Sequence, residues 1–234
     1  MSAAGSIEGI LYQAAACLGP LRQRVVFVGG AVRGLLITDP AVEGPRPTKD
    51  IDVIAEVTPR SAYYRLEEEL RGLGFRNDTR EGAPQCRFVR GELTLDVMPT
   101  DAITLGFSNP WYPHALRTAW EREIRVPGQP GLPIRIVSAA CFVATKLVSY
   151  ANRGGGDPYH HDLEDIIALV DGRPSLFDEV AAEPEELRRF IGGELSRLLA
   201  EGLEDHVPGH LPGDAASQAR LPLVLARLHR LRQP

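Results

Sequence analysis

Apolar residues recur at helical spacing from the start of the chain. Ile7, Ile10, Leu11, Ala14, Ala15 and Leu18 line one face, and Gly19-Pro20 ends the pattern, which predicts an amphipathic first helix. Val25-Val26-Phe27-Val28 is short, β-branched and apolar on all sides, the pattern of a buried strand. Gly29-Gly30 follows at once, then a short helical stretch over 31–37. Residues 39–49 hold three prolines and a glycine and predict a loop. Asp50-Ile51-Asp52-Val53-Ile54-Ala55 alternates charge with apolar residues before turning wholly apolar, so it predicts a second strand entering the core.

A helix over 60–71 is ended by Gly72 and Gly74. A hairpin is expected over 86–90 and 93–98, turning at Gly91-Glu92. Residues 99–113 look loop-like. A helix near 114–120 and strands near 123–126 and 133–137 follow. Ser138 is placed to cap a helix from Ala139 to Asn152, which Gly154-Gly155-Gly156 stops. Another helix is expected from His161 to Val170. Beyond Pro174 the chain is rich in Glu, Leu and Arg at helical spacing, with a Pro/Gly break at 207–213 before a last helix. This order predicts a strand-and-helix domain over 1–137 and a helical domain over 138–234.

Composition narrows the function classes. The chain has 234 residues, 44% hydrophobic and 24% charged, enough to bury a core. No apolar run reaches membrane-spanning length, and the N-terminus lacks the basic-then-apolar form of a secretory signal. Cys17, Cys86 and Cys141 are too scattered for a disulfide framework, so a cytoplasmic setting is expected. The net charge of −5 excludes a uniformly basic nucleic-acid coat, though not a local basic groove. Of 26 basic residues only Lys49 and Lys146 are lysines, which draws attention to both.

The strongest chemical feature is Asp50-x-Asp52. On a strand, residues i and i+2 share one face about 6–7 Å apart, so their like charges repel unless a cation lies between them. Asp96, flanked by Leu95 and Val97, is a third carboxylate inside an apolar strand. Three such groups on neighbouring strands suit two Mg²⁺ ions. A solvated strand end is the competing account of the Asp-x-Asp pair alone. Gly29-Gly30, between strand and helix, would let a phosphate approach the backbone, with Arg33 one turn further on. A tight strand-to-helix turn would use the same glycines. Lys146, Ser149 and Arg153 share one helix face and could hold a triphosphate; a solvated charged stripe would look alike. Lys49 points away from both aspartates and reads as a loop or salt-bridge anchor. Asp162 could position Lys146 or touch nucleotide, and Asp165 could cap or pair locally. His160 and His161 lack a further zinc ligand at the right spacing. Trp111, Tyr112 and His114 read as loop anchors before base-stacking groups. The C-terminal arginines 220, 227, 230 and 232 could meet RNA phosphate or pack on the domain.

Taken together, Val28-Gly29-Gly30-Ala31-Val32-Arg33, then Lys49-Asp50-Ile51-Asp52-Val53-Ile54, then Asp96, resemble the nucleotidyltransferase superfamily. The spelling VGGAVRGLL…KDIDV is similar to the head of tRNA CCA-adding enzymes and bacterial poly(A) polymerases, over residues 25–60; Gly34 stands where those enzymes usually carry aspartate. Lys146 on one helix and Asp162-x-x-Asp165 on the next resemble the AbiEii- and MenT-type nucleotidyltransferases, many of them toxins. The resemblance implies an α/β nucleotidyltransferase fold, with a mixed sheet flanked by helices and a helical C-terminal half. It implies transfer of a nucleoside monophosphate from an NTP to a hydroxyl, first among candidates the 3′ end of tRNA. Asp50, Asp52 and Asp96 would bind two Mg²⁺; Gly29, Gly30, Arg33, Lys146, Ser149 and Arg153 would hold the nucleotide. Lys146 and Asp162 carry over as functional residues, and a cognate antitoxin is an implied partner. A small-molecule or protein hydroxyl as acceptor, and a non-catalytic nucleotide-binding module, are the alternatives.

Overall fold

A computed structural model describes residues 6–42, 48, 50–57 and 60–233. Lys49 lies outside them. The chain divides into two compact units, one of residues 1–32 and 45–138, the other of 33–44 and 139–234.

The first unit is built on a seven-stranded mixed sheet. Its strands are β1 (Val25–Val28), β2 (Asp50–Ala55), β3 (Arg76–Asn77), β4 (Arg87–Arg90), β5 (Leu93–Pro99), β6 (Trp120–Ile124) and β7 (Leu132–Ile136), in the order β3-β4-β5-β2-β1-β7-β6. β1 with β7 and β2 with β5 run parallel; the other neighbours are antiparallel. Val25, Val26, Phe27 and Val28 are all buried, as their unbroken apolar run requires of a central strand. Helix α1 (Ile7–Leu18) packs its buried Leu11, Ala14, Ala15 and Leu18 against the sheet, and Ser6 caps it by accepting from the Gly9 amide.

The second unit carries α2 (Arg33–Leu36), α6 (Ala139–Arg153), α7 (His161–Gly172), α8 (Leu176–Ala181), α9 (Glu185–Ala200), α10 (Leu203–His210), α11 (Ala215–Gln218) and α12 (Leu221–Leu231). In the first unit lie α3 (Arg60–Gly72), α4 (Ala102–Leu105) and α5 (Tyr112–Thr118). The mixed sheet with flanking helices agrees with the expected fold class. Several boundaries differ from the sequence reading. The stretch 99–113 holds α4, because the Asp101 carboxylate accepts from the Thr104 amide and starts a turn inside a Pro- and Gly-rich segment. Helix α5 begins at Tyr112, with Pro113 fitting its first turn, and β6 starts at Trp120. The break at 207–213 comes later than its proline suggests, since α10 carries Pro208 near its end. The short helical stretch after the glycines is a 3₁₀ turn over Gly30–Val32 leading into α2.

Candidate functional site

The register of the first unit's sheet brings the strand carboxylates together. β2 and β5 pair in parallel with Asp52 opposite Asp96 and Asp50 opposite Thr94. Residues i and i+2, and their register partners, project from the same face. Asp50, Asp52, Thr94 and Asp96 therefore share one face of the sheet, while Ile51, Val53, Leu95 and Val97 are buried on the other. Val28 of β1 lies opposite Asp52, so the diglycine turn that follows β1 comes down on this carboxylate. Gly29 has a φ of +73°, and a Cβ there would overlap Oδ2 of Asp52. Glycine is thus required at 29 on two counts: the left-handed backbone and the close approach.

Arg87 begins β4 directly opposite Asp96. Its Nε donates to Asp96 Oδ1 and its terminal nitrogen to Asp96 Oδ2, both at 2.8 Å, a bidentate fork. The same terminal nitrogen reaches Asp50 Oδ2 at 3.1 Å. The Asp96 side chain is 10% exposed and that of Arg87 21%, whereas Asp50 is 45% exposed. The hydrogen bonds to Asp96 hold the Arg87 guanidinium above its ordinary pKa. Burial, reinforced by the charges of Asp96 and Asp52, pushes the Cys86 thiol up to about 12. Sequence reasoning missed Arg87. The signal was its place at the start of a hairpin strand, nine residues before Asp96, where antiparallel pairing sets the two opposite each other.

The donor set suits a divalent cation. Three aspartates offer hard carboxylate oxygens on one face, and a cationic group, the Arg87 guanidinium, already spans two of them.

The second unit gathers a separate polar cluster inside its helical core. α6 presents Lys146, which is 6% exposed, and α7 presents Asp162 and Asp165, at 0% and 4%. The ammonium lies 2.9 Å from Asp162 Oδ1 and 2.6 Å from Asp165 Oδ2. Arg33 of α2 donates to Asp165 Oδ1 at 2.8 Å and to Glu164 at 3.2 Å. Arg153 holds Asp162 with Nε and a terminal nitrogen, both at 3.0 Å, while its side chain stays 57% exposed. His160 caps α7 by accepting from the Asp162 amide. Burial alone would depress the Lys146 pKa, but Asp165 and Asp162 outweigh it and hold it above its ordinary value. Burial would likewise raise Asp162, yet the hydrogen bond from Arg153 and the charge of Lys146 keep it below the ordinary 3.8.

Of the residues expected to hold nucleotide, Lys146, Arg33 and Arg153 are thus all engaged with carboxylates of α7. Asp165 is a full member of the network, joined to both Lys146 and Arg33. His160, His161 and Asp162 bring ligand atoms within 4.8 Å of one another. Both oxygens of Asp162 already accept from the adjacent cations, which opposes a further metal there. Tyr112 is 8% exposed and donates to Met98 Sδ, the arrangement of an anchor. Among the C-terminal arginines, Arg220 binds Asp171 and Asp39, and Arg227 binds the Val170 and Asp171 carbonyls at the end of α7.

No family model and no curated protein matches the chain. Among solved structures it is similar to an antigenic nucleotidyltransferase-like protein from Paracoccidioides brasiliensis, at 21% identity and a TM-score of 0.53, over 87% of this chain and 91% of that one. It also aligns with the antibiotic-resistance factor ANT(2'')-Ia, at 15% identity and a TM-score of 0.45, over 85% of this chain and 96% of that one. The sheet order, the flanking helices and the first of these similarities agree: the chain has the α/β fold of nucleotidyltransferase-like proteins.

Proposed function

We propose that this protein is a divalent-metal-dependent nucleotidyltransferase, moving a nucleoside monophosphate from an NTP to a hydroxyl and releasing pyrophosphate. The observation that carries the reading is the β2–β5 register, which sets Asp52 beside Asp96, with Asp50 two residues before it on the same face and the Gly29 turn against Asp52. Asp50 and Asp52 would hold two Mg²⁺ ions, and Asp96 would share the ion nearest the acceptor. When bound, the ions would lower the pKa of the attacking hydroxyl and neutralise the triphosphate. Gly29 is packed against Asp52, and Gly30, which follows it without a Cβ, would let a phosphate approach the backbone. In the second unit, Arg153 is the cation of the network with most of its side chain open to solvent, so any phosphate contact made by that unit would fall to it. Lys146 and Asp162 position it, and Ser149 lies on the same helix face. Catalysis would then be largely orientation and charge neutralisation.

The finer assignment, the 3′ end of tRNA as acceptor and an antitoxin as partner, rests on the motif spelling of residues 25–60 and 144–165. Incubation with each labelled NTP, Mg²⁺ and total tRNA tests it. Label entering tRNA, and lost in Asp52→Ala, is the expected result. Label entering a small molecule or a protein would keep the reaction and reject tRNA. No Asp52-dependent transfer to any acceptor would reject the enzyme.

A further inference from the structure

The carboxylate face already carries a counter-ion supplied by the chain itself. Arg87 places three hydrogen bonds on Asp96 and Asp50, and its side chain is only 21% exposed, so these bonds are partly shielded from water. A divalent cation binding the same oxygens would sit beside the guanidinium, and the two positive charges would repel. The fork also occupies one lone-pair site on each Asp96 oxygen, which leaves fewer for a metal. Charge and crowding together oppose both holding the site in this geometry.

We propose that Arg87 is a displaceable internal counter-ion: it neutralises Asp50 and Asp96 while no metal is bound, and metal loading requires its guanidinium to leave. This rests on the metal-binding reading above and adds a gate to it. The displaced arginine has somewhere to go. Thr94 and Val89 form the next row of the same sheet face toward the β3 edge, and they border an open cavity of about 660 Å³ that Arg76 and Arg80 also line. Asp78 and Glu92 lie on the same lining, so the freed fork would find carboxylates there in place of Asp50 and Asp96. Arg87 is accordingly a positioning residue that sets metal affinity, and chemistry is left to the aspartates.

Mn²⁺ binding to the nucleotide-free protein tests this without any turnover. Calorimetry on the wild type, Arg87→Gln, Arg87→Lys and Asp52→Asn, each checked for native circular dichroism, gives the comparison. Arg87→Gln is expected to bind Mn²⁺ about tenfold more tightly than the wild type, with Arg87→Lys between them, because a point charge lacks the fork. Asp52→Asn should bind far more weakly, which locates the ion. A second reading uses the wild type alone: the Arg87 Nε–H signal in ¹⁵N spectra should lose its protection from exchange as Mg²⁺ is added. Equal Mn²⁺ affinity in wild type and Arg87→Gln, or an Nε–H that stays protected at saturating Mg²⁺, would overturn the gate and leave the metal site standing. Absence of Asp52-dependent binding in every variant would overturn both.

Discussion

Two residues show how sharply local chemistry is set here. Gly29 has a left-handed backbone directly over Asp52, so Gly29→Ala is expected to cost roughly 1–3 kcal/mol and to push the carboxylate aside. Urea unfolding would measure the cost, and loss of Mn²⁺ binding the displacement. Lys146 is the other. Replacing it with Met leaves Asp162 and Asp165 buried with less compensation, at a cost of about 3–5 kcal/mol near neutral pH. The sign of its pH dependence follows from Asp162, whose folded pKa lies below 3.8. Such a group contributes stability that is present above the unfolded value and lost as pH falls through the folded one. Lys146→Met raises the folded value of Asp162, so the gap between variant and wild type should narrow as pH drops below about 4. Denaturant midpoints at pH 7 and pH 3.5 would check it. The identity of these residues was legible in the sequence: Gly-Gly, Asp-x-Asp and a lysine retained among arginines each stand out. What they touch was legible only in part: the pairing of Lys146 with Asp162 was among the expectations, while its contact with Asp165 was not. Nothing in the spacing of Lys146, Ser149 and Arg153 says that the ammonium turns inward to two aspartates of α7, because that depends on how α6 rotates about its axis when buried nearly all round.

Elements were readable where one period dominates. The four-residue apolar run of β1 and the alternating start of β2 gave their strands, α1 ended at its Gly19 cap, and α6 and α7 began at Ala139 and His161 as expected. Elements set by a single side chain were not. α4 exists because Asp101 caps it, and the two-residue β3 because the β4–β5 hairpin offers it an edge. The docking of α12 belongs to this scale. Arg220 bonds Asp171 Oδ1 and Asp39 Oδ2, each at 2.7 Å, and Arg227 meets the last carbonyls of α7, where a cation also suits the helix dipole. Arg220→Ala should therefore lower stability by about 1–3 kcal/mol, whereas Arg232→Ala on the exposed end should change it by less than about 0.5 kcal/mol. Thermal melts of the two variants separate a docking helix from one held by its leucines alone.

At the scale of the molecule, the chain forms two compact units in which residues 33–44 group with the helices from 139 onward. Sequence alone could not place them, since a short apolar stretch beside a Pro-rich loop fits either unit. The structure gives them defined work: Arg33 holds Asp165 and Glu164, Asp39 holds Arg220, and the Thr38 and Asp39 amides both donate to the Gly172 carbonyl. A fragment beginning at residue 139 is thus expected to melt with low cooperativity, and to sharpen when residues 33–44 are fused to it; calorimetry would tell. The same arrangement bears on how the chain is made. During synthesis Arg33 leaves the ribosome 132 residues before Asp165, and Asp39 leaves 181 residues before Arg220. Arg33 and Asp39 then wait for their partners until the chain through Arg220 has been made, so a nascent chain stalled short of Arg220 would carry a helical unit still open to chaperones.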